Sequence, residues 1–514
     1  MSNETAPDSS LTLVKALSVA NACSLIETHI SWLLLTGQYV YKIKKPVNFG
    51  FLDFSTLEKR RFCCNEELRL NERLAAELYL EVVPITGTED QPQLGGAGVA
   101  IEYAVKMVQF PAGQLLGEYA RTGQLGTDHI DQLVDIVADF HQTIAQTDSK
   151  SPYGDSANIN HWFAENFDHI KPLLVDNAEK QQLQRIRQWG DTEWHKLTGL
   201  MQLRKQQGYV RECHGDLHLG NMTLINGKVT LFDCIEFNPM LRWVDVISEV
   251  AFLFIDLLHF GYDRYAYRFL NRYLQRTGDY QGLALLRYYL VYRALVRAKV
   301  SLLRMAQQQG DDAVTKQARC EYAAFAGLAE RFTTSRRPAL IITHGYSGSG
   351  KSTLAAQLAE KIGAFQIRSD IERKRLFGYQ AYAQTGSGID DGLYTQDASL
   401  KTYQHLKELA RTALEAGFPT IVDATFLKAG QRELFRQLAA DCGAPFQIIT
   451  FQASDRELCR RIKQRQNDAS EATVDVLHRQ QQSAQPLSEQ EQSCVITIDT
   501  ENGNALETLL DNFQ

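Results

Sequence analysis

The nine cysteines contain no C-x-x-C pair and no zinc-finger spacing; Cys63 and Cys64 are adjacent and the others are scattered. That pattern excludes a zinc ribbon and a disulfide framework, and it predicts reduced thiols and a cytoplasmic setting. No cationic segment followed by an apolar stretch opens the chain: Met1–Ser10 is polar and acidic, so no signal peptide is expected. Nor is any apolar run long enough to span a bilayer. The most apolar one, Val250–Phe260, is preceded by Glu249 and broken by Asp256, and reads as a buried helix. A large excess of one charge is missing too. With 54 Lys and Arg against 61 Asp and Glu the net charge is −7, which argues against a general polyanion binder. Repeats and low-complexity tracts are absent, and proline is missing between Trp243 and Phe332, where the pattern predicts helix throughout.

At 514 residues the chain has room for about three domains of ordinary size, or two if one is a larger kinase-like fold. Ser31–Leu35 and Tyr39–Lys44 are β-rich runs around the turn Thr36-Gly37-Gln38. Leu57–Leu78 has helical spacing, Ile101–Phe110 alternates as a strand does, and Leu133–Gln146 and Gln181–Gln206 read as helices. Met222–Ile225 and Lys228–Phe232 flank Asn226-Gly227, a hairpin signal. Thr333–Pro338 is polar, basic and closed by proline, and reads as a linker between a first domain, 1–332, and a second, 339–514. Past it, short apolar runs (Ala339–Thr343, Phe365–Ser369, Pro419–Asp423, Phe446–Phe451, Val495–Asp499) alternate with helical stretches, which predicts a parallel α/β sheet.

In the second domain, Gly345-Tyr-Ser347-Gly348-Ser349-Gly350-Lys351-Ser352 fits G-x-x-x-x-G-K-[ST] in full, after an expected strand and before an expected helix. The glycines let backbone N–H groups, through Ser352 and Thr353, curl around the phosphates of ATP at a helix N-terminus. Lys351 is expected on the β/γ-phosphates and Ser352 on Mg²⁺. Asp423 ends an apolar run at the carboxyl edge of the sheet, where it suits the Mg²⁺ shell. Asp370, after Phe365–Ser369, can take a proton from an acceptor hydroxyl, or can cap a helix that begins at Ile371. Arg460, Arg461 and Arg465 lie on one charged helix, able to close over a phosphoryl group or to form a solvated face. This arrangement resembles the gluconate kinase, shikimate kinase and polynucleotide 5′-kinase group of P-loop kinases over 339–514. The resemblance implies Asp370 as the acceptor-activating carboxylate and the arginines as a lid.

In the first domain, His214-Gly-Asp216-Leu-His-Leu-Gly-Asn221 is followed by Asp233 beyond the Asn-Gly hairpin. An Asp five residues before an Asn lets one loop present a base to the acceptor and an amide oxygen to Mg²⁺, and the hairpin returns a second acidic ligand. Upstream, Lys42 and Lys44 share a strand face, and Glu66 and Glu67 lie on the next helix; the reading takes Lys42 with Glu67 as the phosphate-positioning pair. A G-x-G-x-x-G loop is absent. Met107–Phe110 is the candidate adenine hinge. The loop differs from the protein-kinase pattern H-R-D-x-x-x-x-N by Gly215, and in that form it resembles the aminoglycoside phosphotransferase and choline kinase superfamily over roughly 33–329. The resemblance implies Asp216 as catalytic base, Asn221 and Asp233 as metal ligands and His214 as a brace. Arg287, Arg293, Arg297, Lys299 and Arg304 punctuate the later helix, either to hold an anionic substrate or to pair with acids such as Asp245, Glu249 and Asp256.

The expectation is a kinase-like bilobal domain followed by a P-loop α/β domain, transferring the γ-phosphoryl of ATP to a hydroxyl of a small molecule with Mg²⁺. Two alternatives stand beside it. The P-loop domain can be a regulatory ATPase switch, or the acceptor can be a nucleic-acid end held in a basic groove around Arg368, Arg373, Lys374 and Arg375.

Overall fold

The structure is a computed structural model that describes residues 9–50, 52–307, 312–334, 338–383, 385, 395–465 and 468–513. Of the expected linker, Ser335, Arg336 and Arg337 lie outside the described residues. The chain divides into two compact units. Unit 1 takes Met1–Gln132, Asp139–Asp256 and Tyr292–Gly327; unit 2 takes Leu133–Ala138, Leu257–Val291 and Leu328–Gln514. Among the described residues no helix is long and apolar enough to cross a membrane.

Unit 1 opens on an antiparallel sheet of β1 (Ser24–Glu27), β2 (Ser31–Leu35), β3 (Tyr39–Lys44), β4 (Tyr79–Gly87), β5 (Pro92–Leu94) and β6 (Glu102–Val108), in the order β1-β2-β3-β6-β4-β5. The two-residue period of β3 sends Ile43 to one face, into a core with Trp32, Leu34 and Ala104, and Lys42 and Lys44 to the other. Helix α1 (Leu57–Ala75), capped by the Thr56 hydroxyl accepting from the Lys59 N–H, seals that second face with Cys64 against Val105 and Met107. It ends three residues before the expected Leu78, because Tyr79 already begins β4.

Beyond α2 (Ser156–Ile170) come β7 (Val210–Glu212) and the hairpin β8 (Met222–Ile225) and β9 (Lys228–Leu231). The hairpin turns on Asn226 and Gly227, both at positive φ, as the Asn-Gly signal requires. Trp243–Asp245, expected as helix, is instead strand β10, paired antiparallel with β7, and the Trp243 ring stacks on Tyr153. Helices α3 (Val246–His259), α4 (Asp263–Thr277) and α5 (Leu283–Gln307) follow. The apolar run Val250–Phe260 falls on α3, where its apolar side chains through Leu258 are buried, as the sequence reading expects.

In unit 2, β11 (Leu340–His344), β12 (Phe365–Arg368), β13 (Thr420–Asp423), β14 (Phe446–Gln452) and β15 (Val495–Asp499) form a parallel sheet in the order β12-β13-β11-β14-β15. Ile341, Ile421 and Ile449 pack with Leu358 of α6 (Lys351–Ile362) in its core. Because β11 is central, the loop that follows it opens at the crevice where α/β folds bind ligands. The edge strand β12 is covered by α4: Asn271 donates to the Ala364 carbonyl at 3.0 Å and accepts from the Gln366 N–H at 2.7 Å. Helices α7 (Ser369–Leu376), α8 (Asp455–Gln464) and α9 (Val474–Ser483) complete the surroundings of the loop.

Candidate active sites

In unit 1 the strand pairing decides where the charges meet. Glu67, fully buried on α1, accepts from Lys42 and Lys44 at 2.7 Å each, one ammonium on each carboxylate oxygen. Lys42 also meets Asp233 at 2.5 Å, and Lys44 pairs with Glu236. The lysines are therefore not alternatives: Glu67 holds both. Glu66 faces Arg69 and Arg242. Burial alone would push the Glu67 carboxyl up, but the two ammonium groups outweigh it and hold it down at about 2.

Strand β7 delivers the chain to His214-Gly215-Asp216. Gly215 sits at φ +89°, and a Cβ there would stand 3.0 Å from the Leu241 carbonyl oxygen, so the tight bend accounts for glycine at this position. The His214 Nδ1 accepts from the Asp216 N–H at 3.3 Å, so Nε2 is the protonated nitrogen that donates to the Phe232 carbonyl at 2.9 Å. Burial pulls its pKa down to about 4, and the imidazole braces the loop as a neutral group. Glu249 on α3 accepts from the backbone N–H groups of His214 and Gly215 at 2.7 and 3.0 Å, and Arg293 donates to the Gly215 carbonyl at 3.2 Å.

Asp216 is thereby fixed in a polar socket. Its carboxylate accepts from the Asn221 amide at 2.9 Å and lies 3.3 Å from the His218 Nε2. Burial would raise its pKa, yet His218 and Arg297 hold it well below the usual range, so Asp216 is ionised. The Asn221 Nδ2 is spent on Asp216, which leaves its Oδ1 as the outward donor atom. Asp216, Asn221, Asp233, Lys42, Met107 and Phe110 all line one cavity of about 810 Å³. Of the later basic residues, Arg297 pairs with Asp256 at 3.5 Å, Lys299 with Glu165 at 3.3 Å and Arg304 with Glu321 at 2.7 Å, while Arg287 donates to the Phe332 carbonyl. The structural alternative accounts for them.

In unit 2, Gly345–Ser352 links β11 to α6. Gly348 has φ +83°, and a Cβ there would stand 2.8 Å from the Leu458 carbonyl oxygen, so only glycine lets α8 approach the loop. Lys351 donates to the Tyr346 carbonyl at 2.7 Å; burial pulls its pKa down to about 8. Asp423, at the end of β13, accepts a hydrogen bond from the Ser352 hydroxyl and one from the Gln366 amide at 3.0 Å, and burial pushes its carboxyl up. Lys351, Ser352, Thr353, Asp370, Asp423, Arg461 and Arg465 line one cavity of about 610 Å³, as do Ser347, Gly348 and Gly350 of the loop.

Asp370 is the second residue of α7, whose N-cap position is Arg368, so the capping alternative for a helix starting at Ile371 is corrected. Arg461 is anchored to Thr500 at 2.9 Å and Glu457 at 2.7 Å, and Arg465 reaches the Ser470 carbonyl at 3.5 Å. Arg460 pairs with Glu457 on the exposed side of α8. The basic groove that a nucleic-acid acceptor would need is largely neutralised, since Arg368 meets Asp468, Lys374 meets Glu471 and Arg375 meets Glu372.

Several site residues escaped the sequence reading. His218 sits two places after Asp216 and was visible in the motif. Gln480 accepts from the Ser347 N–H at 2.9 Å and donates to its hydroxyl at 3.0 Å from 133 residues away, without any motif to mark it. Gln366 donates to both Asp423 and the Ser352 carbonyl, and its own amide oxygen accepts from Gln275 on α4 at 3.3 Å.

Comparison with known proteins gives two family matches. The model of the "Phosphotransferase enzyme family" matches residues 64–286, and that of an "AAA domain" matches residues 340–487. An uncharacterised protein of Mycobacterium tuberculosis (strain ATCC 25618 / H37Rv) is 30% identical over 450 residues, 88% of each chain, and one of Mycobacterium bovis matches equally. Among solved structures, a gluconokinase from Sinorhizobium meliloti 1021 is 20% identical with a TM-score of 0.25, over 35% of this chain and 97% of that one. A Plasmodium vivax ethanolamine kinase is 12% identical with a TM-score of 0.38, over 61% and 84%.

Proposed function

The chain belongs to the family of these mycobacterial proteins and carries a phosphotransferase-enzyme domain ahead of a P-loop kinase-like domain, and on that premise we propose that this ATP-dependent kinase has two nucleotide sites and phosphorylates a hydroxyl of a small molecule. The domains join near residues 333–338, and the reaction is cytoplasmic, where ATP is the donor. The observation that carries the reading is the ionised Asp216, held by Asn221 and His218 in the cavity that Lys42 and Asp233 also line.

In unit 1 the acceptor hydroxyl gives its proton to the Asp216 carboxylate as its oxygen bonds to the γ-phosphorus. The bond from that phosphorus to the β–γ bridging oxygen breaks, and ADP leaves. Lys42, kept charged by Glu67 and Asp233, is placed to meet ATP phosphate oxygens. The Met107–Phe110 segment takes the adenine. The Asn221 amide oxygen and the Asp233 carboxylate form an all-oxygen donor set that suits Mg²⁺, as do the Ser352 hydroxyl and the Asp423 carboxylate in unit 2. When bound, Mg²⁺ would neutralise charge on the β- and γ-phosphates. In unit 2 the loop N–H groups from Gly345 to Thr353 and the Lys351 ammonium bind the second nucleotide. Asp370 is the base for its acceptor, and Arg461 and Arg465 stabilise the transferring group.

Two titrations test this. Calorimetric titration with AMP-PNP, a non-hydrolysable ATP analogue, gives two nucleotides per chain, and Lys351→Ala leaves one. A single nucleotide bound by the wild-type chain rejects the two-site reading. The same experiment across pH reads Lys351 directly. Since burial holds its pKa near 8, the empty site loses the ammonium as pH rises past that value, and binding there must take up a proton. Affinity at this site is flat below about pH 7 and weakens about tenfold per pH unit well above 8. A flat profile up to about pH 9.5 contradicts that role for Lys351.

A further inference from the structure

The unit 1 cavity extends beyond the nucleotide-facing residues, and its far wall has a composition of its own. Two helix faces supply it. On α5, Tyr292, Val296, Lys299, Val300 and Leu303 share one face, at the three- and four-residue spacings of a helical stripe; on α2, Trp162, Glu165 and His169 do the same. Five of these eight side chains are large and apolar. The only carboxylate among them, Glu165, is paired with the only ammonium, Lys299, at 3.3 Å. The neighbouring guanidinium of Arg293 donates to the Gly215 and Ser248 carbonyls through Nη1 and Nε, while its buried Nη2 has no hydrogen-bond partner among the described residues. His169 and the Tyr292 phenol, which burial holds neutral by raising its pKa, are the other titratable groups on the two stripes.

Apolar surface is also left exposed among the lining side chains, since Val300 is 43% exposed. A volume of about 810 Å³ lies toward the upper end for a single ligand, about 300–1,000 Å³, which leaves space beside a nucleotide. An acceptor with several cationic groups needs unpaired carboxylates in such a wall, and a polyanion needs several unpaired cations; with Lys299 paired to Glu165, the wall offers no unpaired carboxylate and Arg293 is a single guanidinium. A polyol would need a dense set of hydrogen-bonding groups that this wall does not carry.

We infer that the acceptor of unit 1 is an uncharged alcohol with a large apolar or aromatic body, seated between α2 and α5 with its hydroxyl at Asp216. This rests on the kinase reading of unit 1. Trp162 and Tyr292 supply flat faces, and Val296, Val300 and Leu303 bury the body of the molecule. Its phosphorylation converts a membrane-soluble compound into a dianion confined to water.

The test splits the acceptor pool before the reaction. A bacterial extract is partitioned between 1-butanol and water, each fraction is dried, and each is offered with γ-labelled ATP to the full chain and to Asp216→Asn. The expected result is Asp216-dependent label with the butanol-soluble fraction, reduced tenfold or more by Val300→Asp. Asp216-dependent label confined to the aqueous fraction, or label indifferent to Val300→Asp, overturns the inference. A second measurement does not depend on turnover. N-phenyl-1-naphthylamine, a neutral apolar fluorophore, should bind the chain saturated with AMP-PNP, and Val300→Asp and Trp162→Ala should each weaken it tenfold or more. Probe binding that AMP-PNP abolishes, or that neither substitution changes, rejects an apolar acceptor seat. Probe binding as expected with no Asp216-dependent label in either fraction leaves the seat standing and fails the kinase reading, and with it the acceptor role.

Discussion

Glu67→Ala should lower the melting temperature of unit 1 by about 5 °C, the shift expected for a loss of about 3 kcal/mol in a unit of this size. Glu67 is the shared counter-ion of two lysines, and removing it leaves Lys42 and Lys44 in a buried site with one carboxylate each, Asp233 and Glu236. The loss of one partner from a buried pair costs about 3–5 kcal/mol, and the remaining carboxylates place this case at the low end. Titration leads to the same figure. A carboxyl held at about 2 instead of its ordinary 4.5 contributes about 3 kcal/mol of stability. Because the folded-state pKa is depressed, that contribution is present above the unfolded value and is lost as pH falls toward 2. The difference between wild type and Glu67→Ala should therefore be constant from about pH 5 to 8 and shrink below about pH 4.5, as thermal melts across pH will read. A shift of less than about 1 °C at neutral pH contradicts the account of Glu67.

The parts of the site legible in the sequence are those whose chemistry is written locally. The phosphate loop, the His214–Asn221 loop and the Asn226-Gly227 hairpin each hold their spacing within a dozen residues, and each lies where its pattern implies. The strands of the parallel sheet were readable because strands covered by helices are short continuous apolar runs. Strand β4 was not readable: Pro84 interrupts the run Tyr79–Gly87, and its pairing with β6 comes from the rest of the sheet. Trp243–Asp245 shows the same limit, since only its partner Val210–Glu212 makes it a strand. Within the sites, the missing information was long-range. Nothing near Gln366, Gln480 or Glu249 announces that each braces a loop or a carboxylate far along the chain. Glu66 and Glu67 differ by one position on α1, and only the helix packing turns one toward the lysines and the other toward Arg69 and Arg242.

Asp216→Asn should reduce phosphoryl transfer by about 10²–10⁴-fold, the range for loss of a positioned general base. The amide keeps the size of the carboxylate and can still meet Asn221 and His218, but it cannot take the acceptor proton. Nucleotide binding should persist, because Lys42, Glu67 and Asp233 are untouched. A loss through misfolding would instead weaken AMP-PNP binding and lower the melting temperature. The direct measurement is transfer of label from γ-labelled ATP into the small molecules of a cell extract, comparing wild type with Asp216→Asn at equal nucleotide occupancy. A labelled organic product that forms with wild type and falls by about 10²-fold or more with the variant is the predicted result. The same product at the same rate from both proteins, or label released only as free phosphate, would contradict a phosphotransferase built on Asp216.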